Sequence, residues 1–354
     1  MESTSREKPG CRTPEPPRAR RGHVSLARQQ YLDGIVNGDR LILARAITLV
    51  ESALDADRQL AEQIVEDCLP YGGHSLRVGI TGVPGAGKSS LIEALGLYLT
   101  CERREKVAVL AVDPSSRLSG GSILGDKTRM TALAANELAF IRPSPSRGSF
   151  GGVAQRTREA MLLCEAAGYR TILVETVGVG QSESAVRDMV DFFLLVALPG
   201  AGDELQGIKR GVMELADMVA INKADGTGLA AAERARAEAE NALHFFPAPS
   251  SGFTPRSLAC SALTGKGIRE LWECVLEYAA LTRANGYRER LRREQKRHWM
   301  NETIEQALRQ RFESHPEVRS RKLALEQDVM EGRIPSFAAA RILLDLYSTT
   351  ARHA

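Results

Sequence analysis

The 354-residue sequence predicts an α/β fold: a mainly parallel, doubly wound sheet, flanked by N-terminal helices and followed by a C-terminal helical arm. Three observations carry this. Seven short runs, LRVGIT, KVAVLAV, LAFIRP, RTILVET, FFLLVALP, MVAINK and RSLACSA, alternate with helical segments over residues 76–280. The runs are apolar along their whole length, as strands buried on both faces of a parallel sheet must be. The first of them leads directly into GVPGAGKSS and then the helical LIEALGLYL, a strand, glycine-rich loop and helix in that order.

Taken in order, the expected tail is residues 1–31, of which 1–23 are rich in Pro and Arg, with Glu2, Glu7 and Glu15 interspersed. Those acids argue against a mitochondrial presequence and predict a disordered, dispensable tail. Over residues 32–75, Leu32, Ile35, Val36, Leu43, Ile47 and Val50 recur at helical spacing. Asp39 is placed to cap a helix running toward Glu51, and a second helix near Asp57–Leu69 stops at Pro70. Residues 76–282 form the sheet domain. From 283 to 354 the chain is strongly charged, and Met300, Ile304, Ala307, Leu308 and Phe312 make an apolar stripe on one helical face. That arm is expected to need a partner surface.

Composition excludes several classes. With 47 basic and 44 acidic residues and a net charge of +3, no whole-protein field points to nucleic acid or a membrane as partner. No apolar run approaches the ~20 residues of a membrane span, and the N-terminus lacks the apolar core of a secretory signal. The six cysteines, Cys11, Cys68, Cys101, Cys164, Cys260 and Cys274, have no metal-ligand spacing and read as reduced, mostly buried thiols. A cytoplasmic protein is expected.

GVPGAGKSS fits the G-x-x-x-x-G-K-[ST] spacing, with Gly82 and Gly87 bracketing the loop. Glycines let successive N–H groups turn inward, and the helix that follows adds its positive end to the same anion site. Gly85, Ala86, Gly87, Lys88, Ser89 and Ser90 are the expected phosphate-binding residues, with Lys88 on the β/γ-phosphates and the Ser89 hydroxyl on Mg²⁺.

The base is read elsewhere. NKAD, Asn222–Asp225, follows the strand-like MVAI. The Asp225 carboxylate can accept both N1–H and N2–H of guanine, which adenine does not offer, while Asn222 and the Lys223 stem hold loop and ring. Ser261, Ala262 and Leu263 follow as SAL, whose backbone N–H groups can meet guanine O6. GTP or GDP is therefore the expected ligand.

For hydrolysis, ETVGVGQSE ends the run RTILV. Glu175 stands where such enzymes usually carry Asp, Gly178 would offer its N–H to the γ-phosphate, and Val179 occupies the place of a water-positioning glutamine. Gln181 is two positions away. Asp113, in DPSSRLSGG, and Asp126, in ILGDKTRM, are candidate magnesium carboxylates alongside Ser89 and Glu175, because Mg²⁺ takes few protein ligands and keeps several waters. The loop LPGAGDELQGIKRG, residues 198–211, carries Lys209, a cation that could offset charge developing on the phosphates.

Together GVPGAGKSS, VLAVDPSS, GGSILGDKTRM, FIRPSPSRGSFGG, ETVGVGQSE, LPGAGDELQGIKRG and NKAD resemble the MeaB-type (ArgK-like) GTPases, over roughly residues 32–346. The resemblance implies a P-loop GTPase domain and a homodimer formed through the C-terminal arm. It implies a chaperone role in which GTP binding and hydrolysis gate adenosylcobalamin loading onto methylmalonyl-CoA mutase, or a related acyl-CoA mutase, and protect the enzyme. An adenosyltransferase is a further candidate partner. Carried over residue by residue, Lys88 and Ser89 match the P-loop, Asp113, Asp126 and Glu175 the magnesium and switch acids, and Lys209 a third switch loop. Two other readings compete. A kinase would need an acceptor pocket and base, and no H-R-D element occurs. A nickel-insertion GTPase would want a Cys/His cluster, and the six histidines are scattered.

Overall fold

The computed structural model describes residues 26–52, 54–112, 130–143, 150–176, 182–199 and 210–351. All seven apolar runs become strands: β1 (Leu76–Gly82), β2 (Val107–Val112), β3 (Ala139–Arg142), β4 (Thr171–Thr176), β5 (Phe192–Ala197), β6 (Met218–Ile221) and β7 (Arg256–Ala259). They form one parallel sheet in the order β3-β2-β4-β1-β5-β6-β7. The chain builds outward from β1 to one side, returns with β4 beside it, and continues with β5 on the other. The carboxyl end of β1 therefore lies at the switch point where open α/β sheets bind ligands.

Helices α1 (Arg28–Val36), α2 (Arg40–Glu51) and α3 (Asp55–Cys68) precede the sheet. Asp39 caps α2 as expected: its carboxylate accepts from the amides of Leu41 and Ile42 at 2.8 and 3.1 Å, satisfying donors that a helix start leaves orphaned. At Pro70 the chain passes from α3 into a single 3₁₀ turn, Leu69–Tyr71. The expected tail boundary at residue 31 is corrected. Helix α1 begins at Arg28, Tyr31 is buried in the core, and Arg28 grips Asp67 through two bonds of 2.5 and 2.6 Å. Residues 1–25 lie outside the described residues.

On one face, α6 (Phe150–Ala166) covers the sheet and carries α1–α3 as an outer layer, with Ile35, Leu43, Ile47 and Ile64 packed toward Met161, Leu163 and Cys164. On the other lie α4 (Lys88–Leu97) and α10 (Ile268–Ala284), which bring Leu91, Ile92, Leu95, Trp272, Val275 and Tyr278 onto the strands. Helix α9 (Leu229–Leu243) covers β6 and β7 with Ala232, Ala235, Ala239 and Leu243. The short helices α5 (Thr131–Ala134), α7 (Ser182–Arg187) and α8 (Arg210–Glu214) complete the described part of the domain.

The arm is built of α11 (Tyr287–Ser314), α12 (Pro316–Met330) and α13 (Ser336–Ala351). The boundary expected at 283 does not separate it from the sheet domain. Arg292 bonds both carboxylate oxygens of fully buried Asp191 at 2.6 and 2.8 Å and also the Gly73 and Ser75 carbonyls. One turn on, Gln295 donates to the Val190 carbonyl at 2.8 Å, and Trp299 to that of Asp188 at 3.0 Å. The guanidinium groups of Arg77 and Arg158 both lie over the Trp299 ring, and Arg158 reaches Glu302. The face of α11 that carries Arg292, Gln295 and Trp299 is therefore fastened to the sheet domain, and the free arm starts beyond residue 302. Of the predicted stripe, Met300, Ile304, Ala307 and Leu308 are exposed, whereas Phe312 packs edge-on against Tyr347 of α13.

Among the described residues, no helix is long and apolar enough to cross a membrane. The five described cysteines are free; Cys101 is exposed and the other four are buried.

Candidate nucleotide site

The glycine loop leaves β1 and enters α4 against the loop that carries Asn222. Gly87, at φ +82°, is required twice over: a Cβ there would be strained and would sit 2.6 Å from Asn222 Nδ2. Gly82 passes so close to β5 that a Cβ would fall 2.1 Å from the Val196 carbonyl oxygen. Lys88, buried at the start of α4, folds back to donate to the Gly82 and Val83 carbonyls at 2.7 and 3.3 Å. Burial pulls its pKa below the ordinary lysine value, while the Glu175 and Glu183 carboxylates act the other way.

Ser89 and Glu175 are in direct contact. The Ser89 hydroxyl donates to Glu175 Oε1 at 2.9 Å, and Glu175 is buried at the end of β4. A hydroxyl and a carboxylate from α4 and β4 are hard oxygen donors, and with phosphate oxygens they fit the magnesium ion that such a nucleotide brings. Ser90 follows in the first turn of α4, and Gly85 and Ala86 lie in the loop before it.

Asn222 ties this cradle to the segment after β7. Its Nδ2 donates to the Ala86 and Gly87 carbonyls at 2.9 and 3.4 Å, and its Oδ1 accepts from the Ala262 amide at 3.1 Å. Lys223 adopts a left-handed φ of +63°, uncommon for a side chain of this kind. The Ser261 hydroxyl donates to Asp225 Oδ2, which fixes the carboxylate expected to read the base. The Ser261 amide donates to the Lys266 carbonyl at 2.9 Å, so both it and the Ala262 amide are engaged within the protein. Leu263 is highly exposed beside these residues.

Four predicted site residues, Asp113, Asp126, Gly178 and Lys209, lie outside the described residues, as do Val179 and Gln181. Sequence reasoning passed over Glu183, which is buried in the first turn of α7 and acts electrostatically on Lys88. Its signal was its place in ETVGVGQSE, two residues beyond the glutamine that drew attention.

Comparisons with known proteins agree with this geometry. A family model described as "Methylmalonyl Co-A mutase-associated GTPase MeaB" matches residues 43–317. GTPase ArgK of Escherichia coli K12 is 50% identical over 271 residues, 77% of this chain and 82% of that protein. A Mus musculus protein named "Methylmalonic aciduria type A homolog, mitochondrial" is 43% identical over 340 residues, covering 92% of this chain and 82% of its own length. Among solved structures, a LAO/AO transport system kinase superposes with a TM-score of 0.72 at 36% identity, over 92% of this chain and 100% of that one.

Proposed function

The chain belongs to the MeaB family of methylmalonyl-CoA mutase-associated GTPases, and from that premise we propose that its GTP cycle gates adenosylcobalamin loading onto methylmalonyl-CoA mutase, or a related acyl-CoA mutase, and protects the loaded enzyme. As a P-loop GTPase it converts GTP to GDP and phosphate. The observation that carries the reading is Asn222, which sits on the loop after β6 that bears Asp225 and bonds both the phosphate cradle and the Ala262 amide beyond β7, so that a guanine nucleotide would be sensed as one ligand.

In this reading the amides of residues 85–90 and the Lys88 ammonium hold the phosphates, Lys88 exchanging its carbonyl partners for phosphate oxygens. Ser89 and Glu175, with Asp113 and Asp126, hold the magnesium ion, which when bound neutralises charge shared between the β- and γ-phosphates. Asp225 and the Ala262 amide read guanine, Asn222 and the Lys223 stem hold the ring, and Leu263 covers it. For the amide to reach guanine O6, Ala262 must share or release its bond to Asn222. Gly178 meets the γ-phosphate and Lys209 offsets its developing charge. With valine at residue 179 the usual water-orienting side chain is missing, so turnover by the isolated protein is slow and the client mutase accelerates it. The protein works in the cytoplasm as a homodimer through its arm, with an adenosyltransferase as a further partner.

The test is cofactor delivery. Apo-mutase and an adenosylcobalamin-loaded adenosyltransferase are mixed with this protein, and transfer is followed by absorbance. Transfer should depend on GTP and stall with a non-hydrolysable analogue. Equal transfer with GTP, GDP and no nucleotide would reject the gating role.

A further inference from the structure

The β1–β4 ladder ends beside the nucleotide site. Its last paired residues are Ile80 and Glu175. Beyond that pair each strand continues only its ladder with its other neighbour, Thr81 with Leu195 of β5 and Thr176 with Val112 of β2. At this divergence the Thr176 hydroxyl donates to the Thr81 hydroxyl at 2.9 Å, and both side chains are wholly buried, at 0% and 1% exposure. Two β-branched side chains, each stiff about its first torsion, thus bridge strands 95 residues apart in sequence just where the backbone stops holding them together.

The position matters because of what each strand carries. Thr81 precedes Gly82 and the phosphate loop, Thr176 follows Glu175, and Val112 precedes Asp113. Side chains alternate across a sheet. Leu173 and Ile80 pack on the α4 side, as Glu175 does through Ser89, whereas Val174 and Ile172 pack on the α6 side. The threonine pair therefore closes the strands from behind while Glu175 reaches forward to Ser89.

We propose that Thr81 and Thr176 are positioning residues of the GTPase site, a hydroxyl clasp that sets the spacing of Glu175 and Ser89 and so the magnesium affinity of the nucleotide complex. The proposal rests on the reading that Ser89 and Glu175 hold that ion. The clasp touches neither nucleotide nor metal; it acts by fixing the splay of β1 against β4, and ligand sets are sensitive to displacements of about 0.5 Å.

Valine matches threonine in shape without the hydroxyl, so Thr81→Val/Thr176→Val removes both partners and orphans neither. The affinity of a fluorescent GDP analogue for the full chain is measured across a Mg²⁺ titration and in EDTA, beside thermal melting. In the double variant the Mg²⁺ concentration at half-effect should rise about tenfold, the lower end of what losing a group that orients metal ligands brings, with affinity in EDTA unchanged. Thr176→Ser, which keeps the hydroxyl, should keep the parent's half-effect concentration. Thr81→Val alone should also raise it, which keeps the test open where the double variant does not fold. A parent-like Mg²⁺ response in folded valine variants overturns the clasp, since a merely structural pair would move melting alone. A parent that binds the analogue without any Mg²⁺ dependence overturns the underlying site reading, and that failure shows in the unmutated chain.

Discussion

Arg292→Met tests whether the root of the arm is part of the domain core. The substitution keeps a long apolar stem and deletes the guanidinium that makes four bonds, two to Asp191 and one each to the Gly73 and Ser75 carbonyls. Asp191 has no exposure and would be left with its bond from the Arg77 amide and the charge of an Arg77 side chain already paired with Glu165. Removing one member of a buried ion pair costs about 3–5 kcal/mol. The remaining Arg77 contacts argue for the lower end, about 3 kcal/mol, which for a domain of this size lowers the melting temperature by roughly 6–12 °C. Burial opposes ionisation of Asp191, but the Arg292 bonds and charge outweigh it and hold the pKa below the ordinary value. The pair's contribution is therefore complete above the ordinary carboxylate pKa and fades as pH falls through the lowered one. The deficit of the variant should shrink in acid. Thermal and urea melts at neutral and acidic pH, with Asp191→Asn/Arg292→Met as the charge-free control, read this out. A neutral-pH melting point within about 2 °C of the parent, less than 1 kcal/mol, would refute the reasoning.

Asp225→Asn should shift preference from GTP toward XTP, since xanthine presents a carbonyl where guanine presents N2–H; an unmatched buried group costs about 1–3 kcal/mol, so a competition assay should show a change of about tenfold or more. Asp217 is buried beside Arg187, and burial, offset by that charge, pushes its pKa up to about 6. An acid whose folded pKa is raised binds its proton more tightly when folded, so relative to Asp217→Asn the parent should lose stability as pH rises from about 4 to about 6; a flat difference in urea titrations contradicts this. A chain cut after Thr303 should remain folded, bind GDP and run as a monomer in light scattering, whereas one cut after Arg283 should melt well below it.

The sheet was legible because burial on both faces writes itself into sequence as unbroken apolar runs: Phe192–Ala197 and Thr171–Thr176 need no partner to be recognised. The Asp39 cap was legible because it bonds only two and three residues ahead. The arm root was not. Arg292, Gln295 and Trp299 sit in a helix whose other residues are mostly charged and exposed, and their partners lie about a hundred residues earlier in a connection with no pattern of its own. Within the candidate site, the glycine loop into α4 and the Asn222 turn after β6 were legible from spacing, but the bond from the Ser261 amide to the Lys266 carbonyl depends on a turn that spacing does not give. The Thr81–Thr176 bond depended on strand register, which no local string encodes.

Coupling of this GTPase to a client mutase is our proposal, and GTP turnover measured with and without that enzyme tests it. Purified protein should release phosphate slowly from GTP with no acceptor present, and Lys88→Ala should not. Adding the host's adenosylcobalamin-dependent acyl-CoA mutase should accelerate release by tenfold or more, on the order of what a positioned cation or water-orienting group supplies at the low end, and Lys209→Ala should lose most of that gain. Turnover that is unchanged by saturating mutase, measured with protein shown to bind GTP, would contradict the account.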